Sequence, residues 1–353
     1  MYKNINITEL FELPDVVLVD ARSEGEYNSD TIPGSVNIPL LSNEERKRVG
    51  ICYKNEGPEQ AKRLGLEIVS PKLVWMVNAY DQIANGRRLV VFCWRGGLRS
   101  KFTASLLAAM GFNAYRLIGG YKAYRRYVYN YLDCDVLPHR PVVLYGLTGV
   151  GKTTVIERLI RMGIPAVDLE GIAKHRGSVF GKIGLPPSPT QKKFESLIVD
   201  SLTKHKSEGY FVIECESKRI GNLIVPDSLM NSMGVSYRVL MYAPLEVRVQ
   251  RIVKEYNLGF NNIAALQESV YHLKKKLGGV KVKELITDLG NGKVEEVFRY
   301  LIEKYYDRLY GYPGGESGDY DLCIDTTDLD QAVDKVYNFV KTISYRKNQY
   351  TGG

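Results

Sequence analysis

No stretch of this chain approaches the roughly 20 consecutive apolar residues that a membrane-spanning helix requires, and Met1-Tyr2-Lys3-Asn4 leads into no apolar segment of the signal type. The expectation is a cytoplasmic protein with no membrane partner. Histidine is scarce, at four residues, and the five cysteines (Cys52, Cys93, Cys134, Cys215, Cys323) are scattered and never paired as CxxC. That spacing argues against a disulfide framework and against a zinc site, though a magnesium ion stays possible. What is present is globular stock, 44% hydrophobic and 25% charged over 353 residues. Such a length exceeds the usual single domain, so two domains with separate cores are expected. A net charge of +8 suits a polyanion such as nucleic acid, although charge balance alone decides little.

The run Val90-Val91-Phe92-Cys93-Trp94-Arg95-Gly96-Gly97-Leu98-Arg99-Ser100 places a cysteine between an apolar strand and the start of a helix. A thiolate is favoured by a helix N-terminus, by free backbone N–H groups and by nearby cations. Gly96 and Gly97 allow the backbone to curl its amides inward, while Arg95 and Arg99 add positive charge. Cys93 is therefore the candidate nucleophile, with Arg95 and Arg99 as its catalytic companions. Asp20 and Arg22 close an earlier short strand, Val16–Asp20, and either line the same pocket or brace it as an ion pair. Between these motifs the segment from Arg46 to Gly65, with Gly50, Tyr53, Lys54 and Gly57, reads either as a lid or substrate loop or as a charge-rich linker.

Two prolines in Cys134-Asp135-Val136-Leu137-Pro138-His139-Arg140-Pro141 end a tyrosine-rich helix and set a boundary, giving domains 1–137 and 138–353. Beyond it, Val142-Val143-Leu144-Tyr145 runs into Gly146-Leu147-Thr148-Gly149-Val150-Gly151-Lys152-Thr153-Thr154 and then a helical pattern. This is a complete P-loop in its strand-to-helix context. Gly146, Gly149, Gly151, Lys152, Thr153 and Thr154 are the candidate phosphate or diphosphate ligands, with Thr153 available to a magnesium ion. The motif reports phosphate binding, not hydrolysis. A second strand, Tyr210–Glu214, ends in acids, so Glu214 or Glu216 takes the place of a metal-orienting carboxylate. Arg248 and Arg251, one helical turn apart, stand as a phosphate clamp or as surface residues. Glu170, His175 and Arg176 sit in a polar, glycine-containing stretch and join Tyr53 and Lys54 as candidate substrate or nucleic-acid contacts. Lysines at 274–276, 281 and 283 offer further backbone contacts. The terminal residues 347–353 carry no pattern.

Residues Val16–Asp20, Thr31-Ile32-Pro33-Gly34, the Cys93 loop and Leu117-Ile118-Gly119-Gly120-Tyr121 together resemble a rhodanese domain over most of residues 5–132. The expected class is α/β: an N-terminal rhodanese-like parallel-sheet domain, then a P-loop NTPase-like α/β domain with a C-terminal helical region. One feature departs from the pattern. Five residues separate Cys93 from Arg99, the CxxxxxR spacing of cysteine-dependent phosphatases, where many rhodanese loops have four; Phe92 replaces the histidine typical of tyrosine phosphatases.

Joined to the P-loop, and with Gly50-x-x-Tyr53-Lys54-x-x-Gly57, Asp168-Leu169-Glu170-Gly171, His175-Arg176-Gly177, Glu214-Cys215-Glu216-Ser217 and Tyr305-Tyr306-Asp307, nearly the whole chain resembles the tRNA 2-selenouridine synthase family. The resemblance implies a transferase that replaces sulfur by selenium in the wobble 2-thiouridine of the tRNA anticodon loop. It further implies an S-geranyl-2-thiouridine intermediate, with geranyl diphosphate and selenophosphate as co-substrates and a partner supplying selenophosphate. Two other readings stand beside it: a sulfurtransferase or phosphatase with a regulatory P-loop domain, and a P-loop kinase or RNA-binding module.

Overall fold

The computed structural model describes residues 1–204, 208–256 and 262–350, with side chains to 343; the end of the terminal segment, 351–353, lies outside the described residues. The chain divides into two units, Met1–Tyr131 and Leu132–Gly353. The division falls ahead of Pro138 because the connector is tied to the second unit: the Leu137 N–H donates to Ser232 Oγ at 2.8 Å, and Asn231 Nδ2 donates to the Asp135 carbonyl at 3.0 Å.

In the first unit β1 (Lys3–Ile5), β2 (Val16–Asp20), β3 (Val36–Asn37), β4 (Arg88–Phe92) and β5 (Ala114–Leu117) form one parallel sheet in the order β1-β5-β4-β2-β3. Side chains alternate across a strand, yet both sets in β4 are buried: Leu89 and Val91 enter a core with Met76, Tyr80 and Leu107, while Val90 and Phe92 are equally shielded on the opposite face. Burial of both faces is what a parallel sheet requires, and it explains the unbroken apolar run before Cys93. The segment read as a lid or substrate loop, or as a linker, is helical and not a loop. It is a helical hairpin, Asn43–Glu56 and Pro58–Val69, turned at Gly57 with φ +89°. Ser42 caps its start, and Pro58 fits the first helical position, where its missing N–H costs nothing.

In the second unit β6 (Arg140–Tyr145), β7 (Ala166–Val167), β8 (Tyr210–Glu214), β11 (Tyr237–Tyr242) and β12 (Leu322–Asp325) make a parallel sheet ordered β12-β11-β6-β8-β7; β9 (Arg219–Ile220) and β10 (Leu223–Ile224) pair separately as an antiparallel ribbon. Val142 and Leu144 pack with Val155, Ile156 and Leu159 of the helix Lys152–Arg161 and with Val333 and Val336 of the final helix, Leu329–Tyr350. The expected helical region is not an extension beyond the sheet. It lies between β11 and β12, where helices Leu245–Glu255, Ile263–His272, Gly279–Gly290 and Val294–Leu301 close a core of their own around Phe180, Leu266, Leu285 and Phe298. Among the described residues no helix is long and apolar enough to cross a membrane.

Candidate active sites

Cys93 lies just past the carboxyl end of β4, where open parallel sheets place their ligands. Its loop is stitched to the turn after β5: Tyr121 N–H donates to the Cys93 carbonyl and Lys122 N–H to the Trp94 carbonyl, both at 2.9 Å. Gly120, at φ +54°, has no room for a side chain, since a Cβ there would stand 2.1 Å from the Cys93 carbonyl oxygen. The thiol is 3% exposed and 3.2 Å from Ser100 Oγ, which also lies 3.3 Å from the Gly97 carbonyl. Either sulfur or oxygen is the donor of that contact, so a thiolate at Cys93 gains a hydroxyl donor by simple rotation of the Ser100 O–H.

The two arginines differ from the sequence reading and from each other. Arg99 is engaged by Glu26, Nη1 to Oε2 at 2.7 Å and Nη2 to Oε1 at 3.3 Å. Burial alone would push the Glu26 carboxyl up, but bonding to Arg99, the Ser23 N–H and the Arg46 charge hold it below the ordinary range. Arg99 is therefore a neutralised strut of the loop. Arg95 is exposed and makes no ion pair among the described residues, which leaves it as the loop's available cation. Asp20 and Arg22 form a fully buried pair at 2.7 Å, with the Arg22 guanidinium 4.1 Å from the Tyr121 ring centroid, and so brace the turn. Tyr53 and Lys54 stand exposed on the helix Asn43–Glu56.

The second site is built on the P-loop. Gly146, Gly149 and Gly151 have φ of +144°, +83° and +93°. A Cβ on Gly146 would meet the Met241 carbonyl at 2.2 Å and one on Gly149 the Arg248 carbonyl at 2.8 Å, so the loop is seated tightly on β11 and the helix after it. Lys152 Nζ donates to the Gly146 carbonyl at 2.7 Å; Thr153 Oγ1 donates to Glu170 Oε2 at 3.0 Å; Thr154 follows, half-buried, in the same helical turn. Arg248 and Arg251 do not clamp a phosphate. They lie behind the loop: Arg248 reaches the Thr148 carbonyl at 3.3 Å and pairs with Asp307, and Arg251 reaches the Val150 carbonyl at 3.1 Å. Peptide N–H and C=O groups point opposite ways, so arginines on the carbonyls turn the amides toward the ligand side.

Carboxylates gather opposite Lys152. Glu170 N–H donates to Glu214 Oε1 at 2.9 Å, and the buried Glu214 Oε2 has no partner among the described residues. Burial and the neighbouring Glu216 charge push Glu170 up to about 8, against Lys152 and Thr153; burial, then Asp168 and Glu170, raises Glu214 well above the carboxylate range; burial also raises Glu216. An unfolded glutamate titrates near 4.5, so the native state holds an extra proton at Glu170 between 4.5 and about 8. The stability this contributes is complete below the unfolded value and lost as pH rises through about 8. The melting temperature should therefore fall between pH 6 and pH 9. Glu170→Gln should narrow that gap, by roughly 2–4 °C for each kcal/mol removed, as differential scanning calorimetry at the two pH values would read.

His175 is buried between two glycines: a Cβ on Gly181 or Gly221 would approach its ring to 2.6 or 2.8 Å. Among the described residues its Nδ1 has no hydrogen-bond partner, and burial, then the Lys182 charge, lowers the basicity of the ring. A cleft of about 760 Å³ opens beside it, lined also by Lys182, Asn222, Glu268 and His272, and shares Gly177 with the carboxylate cluster. Arg176 faces the other way, pairing with Glu255 at 2.5 Å under the Tyr256 ring. Sequence reasoning gave no role to Glu26, Ser100, Tyr145, Tyr310 and Tyr312: Ser100 and Tyr145 stand at the edges of the two motifs, and the other three lie outside both.

A family model described as a tRNA 2-selenouridine synthase AAA domain matches residues 139–324, and a rhodanese-like domain matches residues 6–127. A tRNA 2-selenouridine synthase of Nitrosomonas eutropha is 34% identical over 355 residues, covering 87% of this chain and 91% of its own. The chain belongs to the tRNA 2-selenouridine synthase family. The family's enzyme from Pseudomonas syringae pv. syringae is 36% identical over 331 residues, 85% of this chain and 89% of that one. A solved rhodanese-related protein of Thermoplasma volcanium overlaps 34% of this chain and 86% of its own, at 19% identity and a TM-score of 0.22. The family's two matched domains, rhodanese-like and AAA, coincide with the two sites: Cys93 falls in the first and the P-loop in the second. Membership makes the chain a tRNA-modifying transferase and sets aside the kinase and simple sulfurtransferase readings.

Proposed function

We propose that this enzyme makes 2-selenouridine from the wobble 2-thiouridine of tRNA in two steps, one per site, with geranyl diphosphate and selenophosphate as co-substrates. The observation that supports this reading is two separately built loops, a cysteine turn after one sheet strand and a P-loop after another, each with different chemistry. The P-loop, with Lys152 and amides turned inward by Arg248 and Arg251, suits a diphosphate. There the thiouridine sulfur attacks C1 of the geranyl group; the C1–O electron pair leaves with the diphosphate, and the N3 proton passes to water. Magnesium arriving with the diphosphate would be held by Thr153 and by Glu170 once Glu170 gives up its proton, their hard oxygens lying beside a Glu214 Oε2 that has no partner among the described residues, and it would supply charge neutralisation.

The Cys93 loop suits selenophosphate. Its amides and Arg95 bind the phosphate end, and the Cys93 thiolate either attacks phosphorus, so that an S–P bond forms and the P–Se electron pair leaves on selenium, or only helps to hold the donor. Selenium then attacks C2 of the geranylated base, the C2–S pair leaves as geranylthiolate, and water accepts the phosphoryl group. The test is sequential addition to 2-thiouridine tRNA with nucleoside mass spectrometry. Geranyl diphosphate alone should give the S-geranyl base, and later selenophosphate should convert it to selenouridine. Selenouridine formed without geranyl diphosphate would overturn the reading.

A further inference from the structure

Beside the P-loop runs a row of tyrosines drawn from distant parts of the chain. Tyr145 is the last residue of β6, immediately before Gly146. Its ring meets Tyr312 edge-on, centroids 5.9 Å apart. Tyr312 and Tyr310 are nearly parallel at 6.2 Å and 8°, and Tyr310 and Tyr306 continue the row at 6.4 Å and 14°. The row is fixed to the phosphate cradle at two points. Cys215, at the end of β8, lies 3.3 Å from the Tyr312 hydroxyl. Asp307 holds Arg248 through two bonds of 2.8 Å, and the same guanidinium holds the Thr148 carbonyl of the P-loop. A single π turn over Ile302–Tyr306 sets the phase that lets Asp307 do this; such turns are rare and concentrate at functional sites. Tyr310 keeps 42% of its surface exposed while Tyr145 and Tyr312 are half-buried, so these rings line space instead of filling a core.

We propose that Tyr310, Tyr312 and Tyr145 are the surface on which the allylic chain of the diphosphate donor lies, and that their π faces steady the positive charge developing at C1. This rests on the geranyl transfer proposed above. As the C1–O bond breaks, its electron pair leaves with the diphosphate; as S–C1 forms, the sulfur lone pair fills the vacancy, and charge on C1 peaks between the two. Aromatic faces attract such charge, and the outer end of the row already does so, with the Arg238 guanidinium 5.4 Å from Tyr145 and 4.6 Å from Tyr320. A stepped row of faces matches an extended chain better than a flat base. The near-parallel rings, 6.2 and 6.4 Å apart, leave no slot wide enough for a base to enter between them.

The test compares Tyr310→Leu and Tyr312→Leu, which keep an apolar surface but lose the π face, with Tyr310→Phe and Tyr312→Phe. Wild-type enzyme is first assayed for geranyl transfer to 2-thiouridine tRNA; no transfer would defeat the function reading and this proposal together. With transfer established, each Leu variant should lose kcat on the order of tenfold with KM for geranyl diphosphate changed far less, and each Phe variant should recover most of that rate. Inorganic diphosphate should still bind the Leu variants, which shows an intact P-loop. A measurement without variants stands behind these: geranyl diphosphate should perturb the near-UV tyrosine spectrum of the wild type more than inorganic diphosphate does. Wild-type kcat in the Leu variants, identical spectra, or a loss confined to tRNA affinity, which would make the row a base-stacking platform, each overturns the proposal.

Discussion

Cys93→Ser should cut 2-selenouridine formation by roughly a hundredfold or more while S-geranyl-2-thiouridine accumulates, because an alcohol is a far weaker nucleophile than a thiolate at neutral pH. Serine is nearly the same size as cysteine and can keep the contact that Sγ now makes with Ser100 Oγ at 3.2 Å, so the loop itself should survive. The stitching bonds from Tyr121 and Lys122 involve backbone atoms and are untouched by the change. Nucleoside mass spectrometry after incubation with both co-substrates reads the outcome. Undiminished selenouridine would remove Cys93 from the chemistry. Equal loss of the geranylated base would mean that the substitution damages the whole chain, and an unchanged melting temperature guards against that reading.

Lys152→Ala should have the opposite signature: geranyl transfer falls by about a thousandfold, and the unmodified thiouridine is what accumulates. Lys152 rests on the Gly146 carbonyl at 2.7 Å and, more weakly, on the Leu147 carbonyl at 3.4 Å. A diphosphate oxygen is a far stronger acceptor for an ammonium than either carbonyl, so the side chain is expected to swing onto it. Loss of the lysine removes the cation that neutralises the leaving group, whereas the loop amides and their bracing by Arg248 and Arg251 persist. Residual diphosphate affinity alongside lost turnover, measured by calorimetric titration and by product assay, is the expected split. Geranyl transfer at the wild-type rate would place the diphosphate elsewhere.

Both motifs behind these expectations were legible because each is contiguous. A strand, a glycine-rich turn and a helix N-terminus within a dozen residues fix their own backbone geometry, since positive φ at Gly146, Gly149 and Gly151 is a local requirement. The apolar run before Cys93 likewise announced a strand, which the sheet then buries on both faces. The hairpin at 43–69 was harder to read, because its first helix is largely polar and buries only Cys52, leaving no apolar stripe to announce it.

By itself, then, the sequence determined two α/β domains, a cysteine on a glycine-bearing turn after a buried strand, and a P-loop between a strand and a helix. Only the tertiary structure decided which charges remain available to a ligand. Glu26 and Arg99 are 73 positions apart, and nothing in the spacing around either announces that one neutralises the other. Arg248 and Arg251 are correctly spaced for a clamp, yet their helix packs against the back of the loop, so they order the amides instead of meeting phosphate. The tyrosine row likewise gathers residue 145 with residues 306–312. The reason is physical: backbone conformation is set by neighbours in the chain, whereas the partner of a charge or a ring is set by long-range packing, which a linear pattern does not record.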